Sequence, residues 1–258
     1  MPLKVFITGA SSGIGEALAV YYAEKGATLG LAGRRSEILA HLNQRLGGHH
    51  ACYTLDVCDA AALHAAAADF LQRFGAPDII IANAGVSAGT LTEYEEDLGA
   101  FRRIMDTNVF GMAATFAPFI PAMKAAGGEK RLVGIASVAG IRGLPGAEAY
   151  SASKAAAITY LESLRLEMRP YGIKVVTIAP GYIETPMTAV NPYKMPFLLP
   201  AAQAAERFVR AIERGTSYTV IPWQMGIVAK LLRLLPNGLY DRLFAKAQRK
   251  PRGILKER

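Results

Sequence analysis

The sequence predicts a doubly wound α/β fold, a single parallel sheet of about seven strands with helices on both faces. Three observations predict it. Short β-rich runs alternate with longer segments whose apolar positions recur at helical spacing. That alternation continues along most of the chain without a linker-like stretch or an internal repeat. The innermost runs, such as Ile79-Ile-Ile-Ala82, are apolar at successive positions, as strands covered on both faces must be.

The strands are expected, in order, at Lys4–Thr8, Thr28–Gly33, His50–Leu55, Asp78–Asn83, Arg131–Ala136, Lys174–Ala179 and Tyr218–Pro222. Helical spacing covers Ile14–Lys25, Ala60–Phe74, Phe110–Ala125 and Ala149–Arg169. With 258 residues, 52% of them hydrophobic, the chain can bury a large core, and residues 1–258 are expected to form one domain. Ligands of such folds bind at the carboxyl ends of the strands.

Composition excludes several classes. The two cysteines, Cys52 and Cys58, lie too close together to staple distant elements and read as reduced core thiols of a cytoplasmic protein. The first strand begins almost at residue 1, with no room for a signal peptide. The longest uncharged apolar stretch, Thr107 to Met123, carries Asn108, Gly111 and two prolines, against a membrane-spanning helix. All four histidines (41, 49, 50 and 64) fall in the first quarter of the chain, far from any strand-end serine that a hydrolytic relay would use. His49, His50, Cys52 and Cys58 lie on or beside one strand, whose alternation sends them to opposite faces, so no metal site is expected.

Just after the first strand stands Thr8-Gly9-Ala10-Ser11-Ser12-Gly13-Ile14-Gly15, followed at once by a helix. Glycines let the backbone turn tightly and approach a pyrophosphate, and the helix N-terminus offers unpaired N–H groups. The spacing G-x-x-x-G-x-G departs from G-x-G-x-x-G. At the end of the second strand, where a carboxylate would receive the ribose of NAD, stand Arg34 and Arg35. Two guanidiniums suit a 2′-phosphate, so NADP(H) is preferred over NAD(H). Asp56 ends the third strand and Asn83-Ala84-Gly85 the fourth, both where the cofactor should cross the sheet edge.

Tyr150 and Lys154 are spaced i, i+4 at the start of a helix, which puts phenol and ammonium on one face. A nearby cation favours phenolate and brings proton exchange closer to neutral pH. Ser137 ends the fifth strand, so its hydroxyl should point into the same crevice and donate to a carbonyl oxygen. Each of these residues has an ordinary structural reading when taken alone: a surface pair, or a turn serine.

Together the motifs resemble the short-chain dehydrogenase/reductase family over about residues 3 to 188: Thr8-Gly-x-x-x-Gly-Ile-Gly15, Asp56-Val57, Asn83-Ala-Gly85, Asn108, Ser137, Tyr150-x-x-x-Lys154, and Pro180-Gly181 with Thr185. One departure is Ile81-Ala82 ahead of Asn83, where the family often has a second Asn. The resemblance implies a Rossmann-type fold in which Tyr150 donates or accepts the substrate proton and Ser137 orients the carbonyl. Lys154 would hold the nicotinamide ribose and lower the Tyr150 pKa, and Asn108 would hold a water linking Lys154 to solvent. Pro180, Gly181, Ile183 and Thr185 would lie beside the nicotinamide, with Thr185 and the Ile183 backbone bonding its carboxamide. Arg34 matches the family's NADP-preferring pattern, although Ser12 stands where many NADP users carry a second basic residue. The expected protein is a cytoplasmic homodimer or homotetramer interconverting a carbonyl and an alcohol. A non-catalytic NADP(H)-binding sensor or scaffold, and an epimerase or dehydratase, are the alternatives.

Substrate choice is expected to rest on Ala139–Glu148 and on a loop or lid within residues 187–215, above all Met187–Pro200 with prolines at 192, 196 and 200. Its apolar side chains point to an uncharged, hydrophobic substrate. From Trp223 onward, nine Lys/Arg stand against Asp241 and Glu257, which places +7 of the net +8 in the final segment. The stretch 222–236 reads as an apolar helix too short to span a bilayer. Residues 223–258 fit a pocket wall, a subunit interface or peripheral contact with a membrane, with a solvated basic tail and no nucleic-acid partner.

Overall fold

The computed structural model describes residues 2–255. Seven strands form one sheet: β1 (Lys4–Thr8), β2 (Thr28–Gly33), β3 (Ala51–Thr54), β4 (Ile79–Ala82), β5 (Lys130–Ile135), β6 (Ile173–Pro180), and, after a separate two-stranded pair of β7 (Ile183–Glu184) with β8 (Leu199–Pro200), β9 (Tyr218–Ile221). The sheet order is β3-β2-β1-β4-β5-β6-β9 and every pairing is parallel. The expected Rossmann-type fold is therefore present, with its strand order reversing between β1 and β4.

Alternate residues of one strand feed opposite cores, which is why the strands are apolar throughout. Val5 and Ile7 of β1, and Ile79 and Ile81 of β4, pack under the helices α1 (Gly13–Glu24), α2 (Ser36–Arg45) and α9 (Ala201–Arg214). Phe6 and Ile80 face the other way, toward α3 (Ala60–Phe74), α5 (Gly111–Phe116), α6 (Ile120–Ala126) and α7 (Glu148–Met168). Between α3 and α5 runs α4 (Asp97–Met105), which widens into a π turn at Asp106–Phe110. The helix expected at Phe110–Ala125 is thus the later part of a longer helical stretch. Asp97–Ala126 is long and apolar enough to cross a membrane by length and composition. Here Met112, Phe116, Phe119 and Met123 anchor one face of it in the core.

Three expectations are corrected. Cys52 and Cys58 are exposed, not core thiols: Cys52 lies on β3, the sheet's outer strand, and Cys58 in the turn that follows it. The segment 187–215 is not one loop: a short α8 (Pro186–Ala189) opens it, and residues 201–214 are α9, whose Phe208, Val209 and Ile212 pack on the sheet. The chain after α10 (Trp223–Leu234) and α11 (Asn237–Phe244) is not a solvated tail. Residues 249–255 fold back over the segment that follows β4, although Lys256, Glu257 and Arg258 of the expected tail lie outside the described residues.

This return is held by specific bonds. Gly89 N–H donates to Pro251 O (2.9 Å), and Lys250 Nζ donates to Ser87 Oγ (3.0 Å) and Met187 O (3.4 Å). Arg252 donates to Asp97 Oδ2 (2.6 Å) and Glu96 Oε1 (3.1 Å) while lying over the Tyr94 ring. The hydrogen bond from Arg252 holds the buried Asp97 carboxyl below the usual carboxylate range, against the opposing effect of burial. Arg252→Ala leaves that carboxylate without its cation and is expected to lower the denaturant midpoint of unfolding at neutral pH. Because the folded pKa is the depressed one, the stabilisation is present above about pH 4 and is lost as pH falls through the carboxylate range, so wild type and variant should converge in acid.

Candidate active site

Strand β1 ends in the phosphate-type loop, where Gly9 (φ 68°) and Gly13 (φ 58°) adopt left-handed backbone that L side chains rarely accept. A Cβ at Gly15 would overlap the Gly9 carbonyl oxygen, so Gly15 is a packing element under the loop and not part of the cleft wall. The loop is braced from β4. Asn83 Nδ2 donates to Thr8 O (3.1 Å) and Gly9 O (3.3 Å), while Thr8 Oγ1 accepts from the N–H groups of Asn83 (3.2 Å) and Ala84 (3.3 Å). Asn83 lines the cleft, but its amide nitrogen is engaged in holding the loop. Ser12 begins α1 without a side-chain cap, which leaves that helix's first N–H groups to the cleft.

At the other end of this wall the two arginines diverge. Arg35 donates to Ser11 O and Ser11 Oγ, both at 3.0 Å, and so ties β2 to the loop. Arg34 lies 4.0 Å from Asp56 Oδ2, and Arg103 of α4 approaches the same oxygen at 3.7 Å. Two guanidiniums, those of Arg34 and Arg103, therefore approach one carboxylate at this end. Arg103 escaped the sequence reading because α4 itself did.

The reacting groups meet at the ends of β5 and α7. Ser137 is buried, and its Oγ accepts from Ala139 N–H (3.2 Å), capping a 3₁₀ turn at Val138–Gly140. Lys154 is buried and donates to Ile135 O (2.8 Å), with its nitrogen 5.8 Å from the centre of the Tyr150 ring. Burial pushes the Lys154 ammonium down to about 8. Burial likewise raises the Tyr150 phenol, and the Ser137 hydroxyl beside it draws it partly back. The Lys154 ammonium is turned toward Ile135 O, and burial dominates at the phenol.

These residues share one cleft of about 330 Å³. Gly9, Ser11, Ser12, Gly13, Ile14, Arg34, Arg35, Asp56, Val57, Asn83, Ala84, Gly85, Ser137, Tyr150, Lys154, Pro180, Gly181, Ile183 and Thr185 all line it. Gly15 and Asn108 do not.

The sequence profile of the short chain dehydrogenase family matches residues 4–195 of this chain. The chain belongs to the short-chain dehydrogenase/reductase family. It is 40% identical over 240 residues to an uncharacterized oxidoreductase of Myxococcus xanthus, covering 91% of this chain and 93% of the relative. It is 34% identical over 269 residues to dehydrogenase/reductase SDR family member 7B of Bos taurus, covering 96% and 82%. Among solved structures, a short chain dehydrogenase from Burkholderia cenocepacia in complex with NADP superposes with a TM-score of 0.80 at 27% identity, covering 94% of this chain and 97% of that one. A short chain dehydrogenase/reductase from Burkholderia phymatum in complex with NAD also gives 0.80, at 25% identity and 99% and 98% coverage.

Within this short-chain dehydrogenase, Asn108 sits in the π turn, fully buried behind the cleft. Its Oδ1 accepts from Val86 N–H (2.8 Å), and its Nδ2 donates to Val86 O (3.0 Å) and Ser153 Oγ (3.0 Å). Ser153 in turn donates to Tyr150 O (2.8 Å). The Asn108 amide is thus committed to fixing the first turn of α7 to the segment after β4.

Thr185 caps α8 and exchanges bonds with Thr188, whose hydroxyl donates to Ile183 O (2.6 Å). The Ile183 carbonyl is therefore already engaged. Sequence reasoning missed Ser153, Thr188 and Tyr193, the last raised to about 12 by burial and by the neighbouring Tyr182 and Tyr150 phenols. Only the i+3 spacing of Thr185 and Thr188, a capping pattern, signalled any of them. Among the described residues no group of three or more His, Cys, Asp or Glu is placed to hold a metal ion. His50 accepts from Leu29 N–H (3.3 Å) and belongs to the β2–β3 packing.

Proposed function

We propose that this short-chain dehydrogenase is an NADP(H)-dependent oxidoreductase that interconverts a carbonyl and an alcohol on an uncharged, hydrophobic small molecule. The observation that carries the reading is the meeting of Ser137, Tyr150 and Lys154 in the same cleft as the glycine loop. A dinucleotide fits these residues: Gly9 and Gly13 hold left-handed backbone in the loop, and the start of α1, without a side-chain cap, faces the same cleft as Arg34. Gly9, Ser11, Ser12, Gly13, Ile14 and the start of α1 would hold the pyrophosphate, Arg34 the 2′-phosphate, and Pro180, Gly181, Ile183 and Thr185 the nicotinamide. When bound, that group supplies or takes up the hydride. NAD(H) is the weaker alternative, and the charge around Asp56 supports the order, since Arg103 shares its neutralisation with Arg34.

In reduction, Ser137 Oγ donates to the carbonyl oxygen and stabilises the charge that grows there. Tyr150 Oη gives its proton to the same oxygen, and the Lys154 ammonium stabilises the phenolate left behind. Oxidation runs the same transfers in reverse. Met187 brings apolar surface to the cleft wall, which supports a hydrophobic substrate. A cytoplasmic homodimer or homotetramer is proposed with this activity.

The test is oxidation of NADPH and NADH across a panel of ketones and aldehydes, with the pH profile of any active pair. Turnover with NADPH at lower KM than with NADH is expected. The reduction rate should fall as pH rises through about 8, where Lys154 loses its proton. Constant activity well into the alkaline range would remove Lys154 from its assigned role.

A further inference from the structure

Helix α10 turns Trp223, Ile227, Leu231 and Leu234 outward, the last 79% exposed, while Met225, Gly226 and Ala229 pack inward. Spacings of four, four and three residues align the outward set as one ridge along the helix. Helix α11 repeats the pattern, with Leu239 and Leu243 exposed and Tyr240 buried. A single exposed leucine is ordinary, but six large apolar side chains on two consecutive helices form a patch. Its surroundings are basic. Lys230, Arg233, Arg242, Lys246 and Arg249 are exposed, and the only acid in residues 223–249 is Asp241.

The ridge is also preformed. Arg142, from the loop after the Ser137 turn, donates to Arg233 O (3.1 Å), Leu235 O (3.0 Å) and Asn237 Oδ1 (3.1 Å), and lies over the Tyr240 ring at 4.1 Å. Tyr240 Oη donates to Gly143 O (2.6 Å). Both helices are therefore clamped to residues 142–143, and their apolar face is not a frayed end.

Charge decides what covers it. A second copy meeting ridge to ridge would bring the same basic flank against itself, with one aspartate per chain to offset five cations. An anionic lipid surface satisfies both features at once, taking the apolar ridge among its acyl chains and the cations among its headgroups. We infer that α10 and α11 form a docking face that holds the protein on the surface of an anionic membrane. The 12 residues of α10 reach about 18 Å, short of a bilayer's hydrocarbon core, so the helix lies along the surface and does not cross it. This inference does not depend on the proposed reaction.

The chain's single tryptophan, Trp223, stands on the ridge and reports its environment. Full-length protein is mixed with vesicles of phosphatidylcholine alone or with phosphatidylglycerol added, and both co-sedimentation and tryptophan emission are read. Association with the anionic vesicles at least about tenfold stronger than with neutral ones is expected, weakening with salt and accompanied by a blue shift of Trp223 emission. The double variant Leu231→Glu/Leu234→Glu changes only exposed positions and should lose both signals while keeping its melting temperature and NADPH binding. Triple replacement of Lys230, Arg242 and Lys246 by Glu should lose the preference for anionic vesicles. The inference is overturned if wild type does not sediment, if it binds both vesicle types equally, or if Trp223 emission is unmoved on binding. It is equally overturned if Leu231→Glu/Leu234→Glu instead splits a soluble oligomer, for then the ridge is a contact between copies of the chain.

Discussion

Tyr150→Phe lowers kcat for carbonyl reduction by about 10²–10⁴-fold and leaves NADPH affinity unchanged, the size expected when a positioned proton donor is removed. Phenylalanine keeps the ring that packs at the start of α7 and deletes only the hydroxyl that meets Ser137. Burial holds the Tyr150 phenol above its ordinary pKa, so the neutral, proton-bearing form is the resting one, which suits a donor. Its conversion to phenolate is costly without a cation, and Lys154 is the buried cation within reach. Steady-state rates with thermal unfolding as a control separate this from a packing role. A loss of rate matched by a loss of stability would assign Tyr150 to the scaffold.

Arg34→Ser raises the Kd for NADPH by about 10–100-fold while changing that for NADH little, as the loss of charge-assisted hydrogen bonds to a phosphate would. The arginine follows β2 at the cleft wall, 4.0 Å from Asp56 Oδ2, and lines the same cleft as the glycine loop. Arg35 is instead held at the loop, donating to Ser11 O and Ser11 Oγ. Titration of cofactor fluorescence with each dinucleotide measures the difference. Equal losses for NADPH and NADH would show that Arg34 supports the loop and does not read the phosphate.

What the sequence revealed follows from where the physics is local. A buried parallel strand must be apolar on both faces, and Thr28–Gly33 and Ala60–Phe74 were legible to the residue for that reason and for their helical spacing. Gly9 and Gly13 were legible because their backbone excludes other residues. Asn108 was named only by family resemblance, and its amide proves to join Val86 to Ser153, partners 22 and 45 residues away. The return of residues 249–255 was missed because a basic, proline-containing segment looks solvated. Its anchors, Ser87, Asp97 and Met187, lie far off in the chain. Cys52 was misplaced because strand order, which makes β3 an edge, is not written in β3 itself.

The central claim is hydride transfer to a carbonyl with Tyr150 as the proton source. It is tested most directly with NADPH deuterated at the transferable position of the nicotinamide, wild-type protein and whichever ketone or aldehyde is consumed. One deuterium on the carbinol carbon of the product for each NADPH oxidised is the predicted result. NADPH bound tightly with no carbonyl reduced, or substrate converted with no net NADPH consumed, would contradict it and favour a sensor or an epimerase on the same fold.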